Sequence, residues 1–152
     1  MEIEQPTTQI GNYTIISLLG EGGMAYVYKV LDINTQEIYA LKILHPKAMG
    51  DKEIRQRFKR EFVVLKNLKH PNIVKIYDFN QRLDPLSYYF TMEYLEAETL
   101  KHHLRNNTVF ALREVAKIVL EVASALEEAH RKKIVHRDIK PANIFWSNGS
   151  VK

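Results

Sequence analysis

From Tyr13 to Ile43 the β-branched and aromatic residues come in three short runs, separated by Gly20-Glu21-Gly22-Gly23 and by Asp32-Ile33-Asn34-Thr35. Connections that short join antiparallel strands only, because parallel neighbours need a long crossover. The chain must therefore begin as a meander whose strand order follows sequence order. Between Asp51 and Leu68 the period changes. Ile54, Phe58, Phe62, Leu65 and Leu68 recur at helical spacing on a charged background, which predicts one amphipathic helix. His70-Pro71-Asn72 ends it. Two further runs, Ile73 to Phe79 and Tyr88 to Tyr94, read as strands around a turn at Asp84-Pro85. Beyond them Thr99 to Arg105 predicts a short helix and Leu112 to His130 a long one, with Val115, Ile118, Val119, Val122, Leu126 and Ala129 on one face. Five antiparallel strands with one helix, followed by a mainly helical segment, make an α+β class. Residues 1–12, polar and containing Pro6 and Gly11, are expected to form a loose lead-in.

The 152 residues are 45% apolar and 26% charged, a balance that suits a globular chain. Its net charge of +4 comes from scattered lysines and arginines rather than a basic stripe, so no nucleic acid partner is expected. Arg131-Lys132-Lys133, after the long helix, reads as cations offsetting the negative end of the helix dipole. There is no cysteine, which excludes disulfides, thiolate metal sites and cysteine nucleophiles and makes a cytoplasmic location the expectation. Met1-Glu2-Ile3-Glu4 lacks an apolar signal core, and Glu121 interrupts the longest apolar stretch, Ile118 to Leu126, so no membrane segment is expected within this chain.

Gly20 to Ala25 lies between two strands, where glycines let backbone N–H groups approach phosphate oxygens. Taken alone, a ligand-free glycine hairpin explains the stretch equally well. Two nucleotide folds are excluded. The dinucleotide fingerprint needs a helix next, whereas Tyr26-Val27-Tyr28-Lys29-Val30 is strand-like, and no P-loop ending in Gly-Lys-Ser/Thr occurs. Lys42 closes Tyr39-Ala40-Leu41-Lys42 in the third strand and is expected to point beneath the glycine-rich hairpin. Glu61 shares a helix face with Phe58, Leu65 and Leu68, and a carboxylate on an apolar stripe requires a cation. A solvated Glu61 beside Arg60 is the plainer alternative. Finally, His136-Arg137-Asp138-Ile139-Lys140-Pro141-Ala142-Asn143 packs a base, a cation and a metal ligand into one turn-forming segment.

These segments, with Leu19 to Val27 and Met92-Glu93-Tyr94-Leu95, stand in the order and approximate spacing of a protein-kinase amino-terminal half. The chain resembles serine/threonine protein kinases from Tyr13 to Lys152, and looks most similar to bacterial kinases of eukaryotic type, given Gly22-Gly23-Met24 and Lys140-Pro141-Ala142-Asn143. The resemblance implies a protein-kinase-like fold, with the lead-in at 1–12, an amino-terminal lobe and hinge at 13–95, and an incomplete carboxyl-terminal lobe at 96–152. It implies ATP and Mg2+ as cofactors and a protein Ser/Thr hydroxyl as acceptor. Lys42 would hold the α- and β-phosphates while Glu61 fixes its position. The backbone of Gly20, Glu21, Gly22, Gly23 and Met24, running into Ala25, would cover the phosphates. Leu19, Val27, Ala40 and Phe145 would sandwich the adenine, its edge bonded to the backbone of Glu93 and Leu95, with Met92 at the back. Asp138 would orient the substrate hydroxyl and accept its proton, Lys140 would neutralise the transferring phosphoryl group, and Asn143 would bind magnesium. His136 would be scaffolding packed beside Leu65 and Ile76; His102, His103 and His130 are expected to have no chemical role.

Ala25 stands where a third glycine is usual, and Ala97 where glycine commonly follows the hinge. Neither change removes chemistry. The Asp-Phe-Gly segment that supplies a second magnesium ligand in the family is not among the 152 residues. The expectation is therefore a truncated catalytic domain with negligible activity alone, its long-helix stripe partly exposed and covered by a partner protein. Two other classes stay open: a non-catalytic ATP-binding or regulatory fragment, and a small-molecule phosphotransferase of the same fold, which would more typically carry glycine at Arg137.

Overall fold

A computed structural model describes residues 9–81 and 88–152, so residues 1–8 of the lead-in and the expected Asp84-Pro85 turn lie outside the described residues. The chain divides into two compact units, one reaching to Lys66 and resuming at Ile76–Tyr94, the other made of Asn67–Lys75 and Leu95–Lys152.

The first unit is an antiparallel sheet built from β1 (Gln9–Ile10), β2 (Tyr13–Glu21), β3 (Ala25–Asp32), β4 (Ile38–Leu44), β5 (Ile76–Gln81) and β6 (Tyr88–Glu93), with the helix α1 (Lys52–Lys66). Strand order is β1-β2-β3-β4-β6-β5, and β2, β3 and β4 follow sequence order as their short connections require. The strand not anticipated is β1. Ile10 pairs with Tyr13 across Gly11-Asn12, where Gly11 has φ +58° and an added Cβ would lie 2.7 Å from the Tyr89 hydroxyl. Ile10 is 2% exposed, so burial of one apolar side chain draws this part of the polar lead-in into the sheet.

Alternation along the strands sorts the two faces. Val30, Leu41, Ile43 and Tyr89 gather with Ile10 on one side. Ala25, Leu44, Tyr88 and Phe90 gather with Phe58 of α1 on the other. Phe58 is fully buried, its ring 5.1 Å from that of Phe90, and Phe62 stacks on Phe79 at 4.8 Å. The helical stripe read from the sequence is thus the contact face of α1. β5 starts at Ile76 rather than Ile73, because Asn67–Lys75 belongs to the other unit. A register shift between Ile76 and Phe79 is accommodated by the buried Thr91, whose hydroxyl accepts the Asp78 N–H at 3.2 Å.

The second unit contains α2 (Leu100–Arg105), α3 (Leu112–Arg131) and a small sheet of β7 (Glu98–Thr99), β8 (Phe145–Ser147) and β9 (Ser150–Val151) in the order β7-β8-β9. Thr99 ends β7 and caps α2, its hydroxyl accepting the His102 N–H at 3.2 Å. At the start of α3 the Glu114 carboxylate accepts the Ala111 N–H at 2.8 Å. At its end Lys133 takes a left-handed conformation, φ 60°, and the N–H of Ile134 returns to the Ala129 carbonyl at 2.9 Å. Arg131 and Lys132 both pair with Glu128, and Lys132 also donates to the Asn67 carbonyl. Two of the three cations expected merely to offset the helix dipole therefore have specific partners.

Glu121, visible in the sequence only as an interruption, ties the unit together. Its carboxylate accepts the Val151 N–H at 2.8 Å and the Ser150 hydroxyl at 3.1 Å, while Asn72 Nδ2 donates to the Val151 carbonyl at 2.7 Å. The β8–β9 hairpin is fixed to α3 and to Asn67–Lys75 by these bonds. Its turn, Asn148-Gly149, has φ of 52° and 76°, the positive values that a two-residue hairpin turn demands. The opposite side of α3 stays in solvent, with Leu112 85% and Leu120 69% exposed. No helix among the described residues is long and apolar enough to cross a membrane.

Candidate active site

In the first unit, pairing along β3, β4 and β6 places Val27 opposite Lys42, and opposite Lys42 and Ala40 on the other side stand Phe90 and Met92. Directly opposed residues share a sheet face. Val27, Ala40, Lys42, Phe90 and Met92 therefore line the face that α1 covers. Lys42 Nζ meets Glu61 Oε1 of α1 at 2.5 Å and lies 5.9 Å from the centre of the Phe90 ring. Both charged side chains are partly buried, 21% and 31% exposed. The solvated alternative for Glu61 is thereby replaced by a charge-assisted hydrogen bond between residues 19 apart in sequence.

The glycine-rich hairpin closes this face at one end. Gly20 pairs with Val27 and Glu21 with Tyr26, and Gly22 N–H donates to the Ala25 carbonyl at 2.9 Å. An added Cβ at Gly20 or Gly23 would meet nothing within 4 Å, and neither has a positive φ, so no contact within the chain requires glycine there. Leu19 falls at the register shift between Leu18 and Gly20 and is 47% exposed. Glu93 ends β6. The tip of the hairpin has a partner that sequence reasoning did not find: the His45 ring nitrogen Nε2 lies 2.8 Å from the Gly22 carbonyl.

In the second unit, Pro141–Asn143 forms a single turn of 3-10 helix that folds Asn143 back on Asp138. Asn143 Nδ2 donates to the Asp138 carbonyl at 2.8 Å and to its Oδ2 at 3.0 Å. Lys140 Nζ lies 2.8 Å from the same Oδ2. The Lys140 ammonium, then the Asn143 amide, hold the Asp138 carboxyl below its ordinary range. Asp138 is thus ionised at neutral pH, and its Oδ1 has no hydrogen-bond partner among the described residues. Arg137, immediately before, sits at φ 64°, a conformation that costs a non-glycine residue roughly 1 kcal/mol or more. It turns the chain so that the next carboxylate projects into solvent.

His136 departs from expectation. It is exposed rather than packed into an internal spine, and its Nδ1 accepts the Asp138 N–H at 3.3 Å. Its scaffolding is local. Leu95 is half-buried, and Phe145 exchanges both backbone hydrogen bonds with Lys152 at 2.8 and 3.0 Å. No cluster of three or more His, Asp or Glu suited to a metal ion occurs among the described residues. Asn143 has its amide nitrogen engaged and its Oδ1 available, an oxygen donor of the kind Mg2+ prefers.

An antiparallel sheet with one covering helix, a strand lysine paired to a helix glutamate, and a separate His-Arg-Asp loop define the protein kinase class. The family model described as "Protein kinase domain" matches residues 13–152. The chain belongs to that family. It is 42% identical over 143 residues to the serine/threonine-protein kinase PrkC of Bacillus subtilis, covering 93% of this chain and 22% of that protein. It is 34% identical over 133 residues to the serine/threonine-protein kinase pkn3 of Myxococcus xanthus, covering 88% of this chain and 24% of that one. Among solved structures, a point mutant of the PknI kinase domain of Mycobacterium tuberculosis superposes with a TM-score of 0.77 at 32% identity, covering 95% of this chain and 59% of its own. The chain therefore spans less than a quarter of the two relatives.

Proposed function

We propose that the chain is the ATP-binding and catalytic-loop part of a kinase that transfers the γ-phosphate of ATP to a Ser or Thr hydroxyl of a protein. Residues 13–95 form its amino-terminal lobe and hinge, and residues 96–152 part of its carboxyl-terminal lobe. The observation that carries this reading is the Lys42–Glu61 pair at 2.5 Å, which holds an ammonium on the sheet face bearing Val27, Ala40 and Met92. Lys42 binds the α- and β-phosphates, and the hairpin from Gly20 to Ala25 lays backbone N–H groups over them. Leu19, Val27, Ala40, Met92 and Phe145 contact the adenine, and the backbone of Glu93 and Leu95 bonds its edge.

In the catalytic loop, Oδ1 of Asp138 orients the acceptor hydroxyl and takes its proton as the hydroxyl oxygen bonds to the γ-phosphorus and the bond to the bridging oxygen of ADP breaks. Lys140 neutralises charge on the phosphoryl oxygens. The Oδ1 atom of Asn143 would hold Mg2+, which supplies neutralisation of phosphate charge when bound.

Calorimetric titration with ATP, with and without Mg2+, tests the reading. Saturable, Mg2+-enhanced binding is expected, and Lys42→Met should weaken it by about tenfold or more while leaving the fold intact. The 152-residue polypeptide alone is expected to bind ATP without measurable turnover, because it contains no Asp-Phe-Gly segment. Robust phosphorylation of a basic protein substrate by this polypeptide would overturn that second statement. An absence of ATP binding would overturn the first.

A further inference from the structure

His45, the residue after β4, makes three contacts to the glycine-rich hairpin. Its backbone N–H donates to the Met24 carbonyl at 2.8 Å, and its ring nitrogen Nε2 lies 2.8 Å from the Gly22 carbonyl. Its ring also packs edge-on against Tyr26, with centroids 4.1 Å apart at 82°. A carbonyl oxygen can only accept, so Nε2 carries the proton and donates. Every peptide here is trans, and in a trans peptide the C=O and N–H point in opposite directions. Turning the Gly22 carbonyl toward His45 therefore sends the Gly23 N–H the other way, and the Met24 carbonyl does the same for the Ala25 N–H.

Without a restraint, the Gly22-Gly23 peptide is the link in the hairpin freest to flip, since neither flanking residue has a Cβ. We propose that His45 is a positioning residue for the nucleotide phosphates, locking the hairpin-tip peptides in the orientation that presents their N–H groups to the anion. It acts through the loop backbone and touches no reacting atom. The inference rests on the ATP-binding reading above for its ligand, and on the coordinates alone for the lock. Lys42 and His45 stand on the same strand and its exit, so one element sets both the ammonium and the loop amides.

The test uses the full 152-residue chain and two variants. His45→Phe keeps a ring against Tyr26 and removes the donor; His45→Gln restores a side-chain N–H. Affinities for Mg2+-ATP and for adenosine, which has no phosphate, are measured beside backbone 15N order parameters at Gly22 and Gly23 in the nucleotide-free chain. The expected result is roughly fivefold weaker ATP binding in His45→Phe, the effect of one hydrogen bond, with adenosine affinity unchanged, lower order parameters at Gly22 and Gly23, and partial rescue by His45→Gln. Equal losses for ATP and adenosine would mean a general structural role and would overturn the proposal, as would unchanged ATP affinity. If the wild-type chain binds no ATP, the kinase reading falls and backbone order decides the lock by itself: order parameters at Gly22 and Gly23 that are no lower in His45→Phe overturn it, and lower ones uphold it.

Discussion

The first unit closes its apolar core around Phe58 and Phe90, both fully buried, whereas α3 of the second unit leaves Leu112, Val119 and Leu120 more than half exposed. Both helices announce themselves by the same spacing of apolar residues. Periodicity therefore says that a helix has a face to bury, and only the elements packed on that face say whether it is buried. The first unit covers the stripe of α1 with aromatic rings from β5 and β6. On α3 the bonded positions are instead Glu121 and Glu128, a carboxylate and an ion-paired acid on a helix whose other side stays wet.

Phe58→Ala breaks the comparison most strongly. Removal of a fully buried ring should cost about 3–5 kcal/mol, read as a large fall in the urea midpoint of the first unit; a loss under about 1 kcal/mol would mean that the ring cluster is not what holds the sheet to α1. Glu121→Ala comes next at about 1.5–3 kcal/mol, the range for hydrogen bonds to a charged group. Its signature is local, with the Val151 amide exchanging faster while the sheet of the first unit is untouched. Val119→Lys combined with Leu120→Lys should change stability by no more than about 0.5 kcal/mol, yet reduce self-association on size exclusion, since an exposed apolar face is what drives it. A costly pair of substitutions there would show that the face is already covered.

The smallest effect concerns the catalytic loop. The Asp138 carboxyl is depressed by Lys140 first and Asn143 second, so folding favours its ionised form. That contribution is present above the ordinary aspartate value and fades as pH falls through the lowered one. In a carboxyl NMR titration Lys140→Met should move the Asp138 midpoint upward, and Asn143→Ala should move it up by less. A midpoint indifferent to Lys140 would contradict the 2.8 Å contact.

Legibility in the sequence followed the range of each interaction. The turn from His136 to Asn143 was legible as a compact polar segment, because Asp138, Lys140 and Asn143 are near neighbours that bond to one another. The Lys42–Glu61 pair spans 19 residues and was foreseeable only because a carboxylate on an apolar stripe demands a cation. Three features stayed hidden for physical reasons. Ile10 lies among polar residues, yet one buried side chain sufficed to pair it. His45 follows a strand and precedes Pro46, so no periodicity marks it, and its role depends on a hairpin 23 residues away. Glu121 looked like a break in an apolar run when its carboxylate was the partner of a distant backbone amide. Asn148-Gly149 is a hairpin signal, but the strands it joins, Phe145–Ser147 and Ser150–Val151, are too short for any periodicity to mark. Conversely, the spine role expected of His136 failed: the resemblance implied a position inside, and the exposed ring instead accepts the Asp138 N–H two residues on.

Asn67–Lys75 sits in the second unit although it lies between α1 and β5 of the first, so the polypeptide changes unit at three places: after Lys66, after Lys75 and after Tyr94. A single cut cannot separate the two. A gene fragment stopped at Tyr94 would strand Asn72 without Val151, and a protease nick there would leave both products joined by a stitch of their own chain.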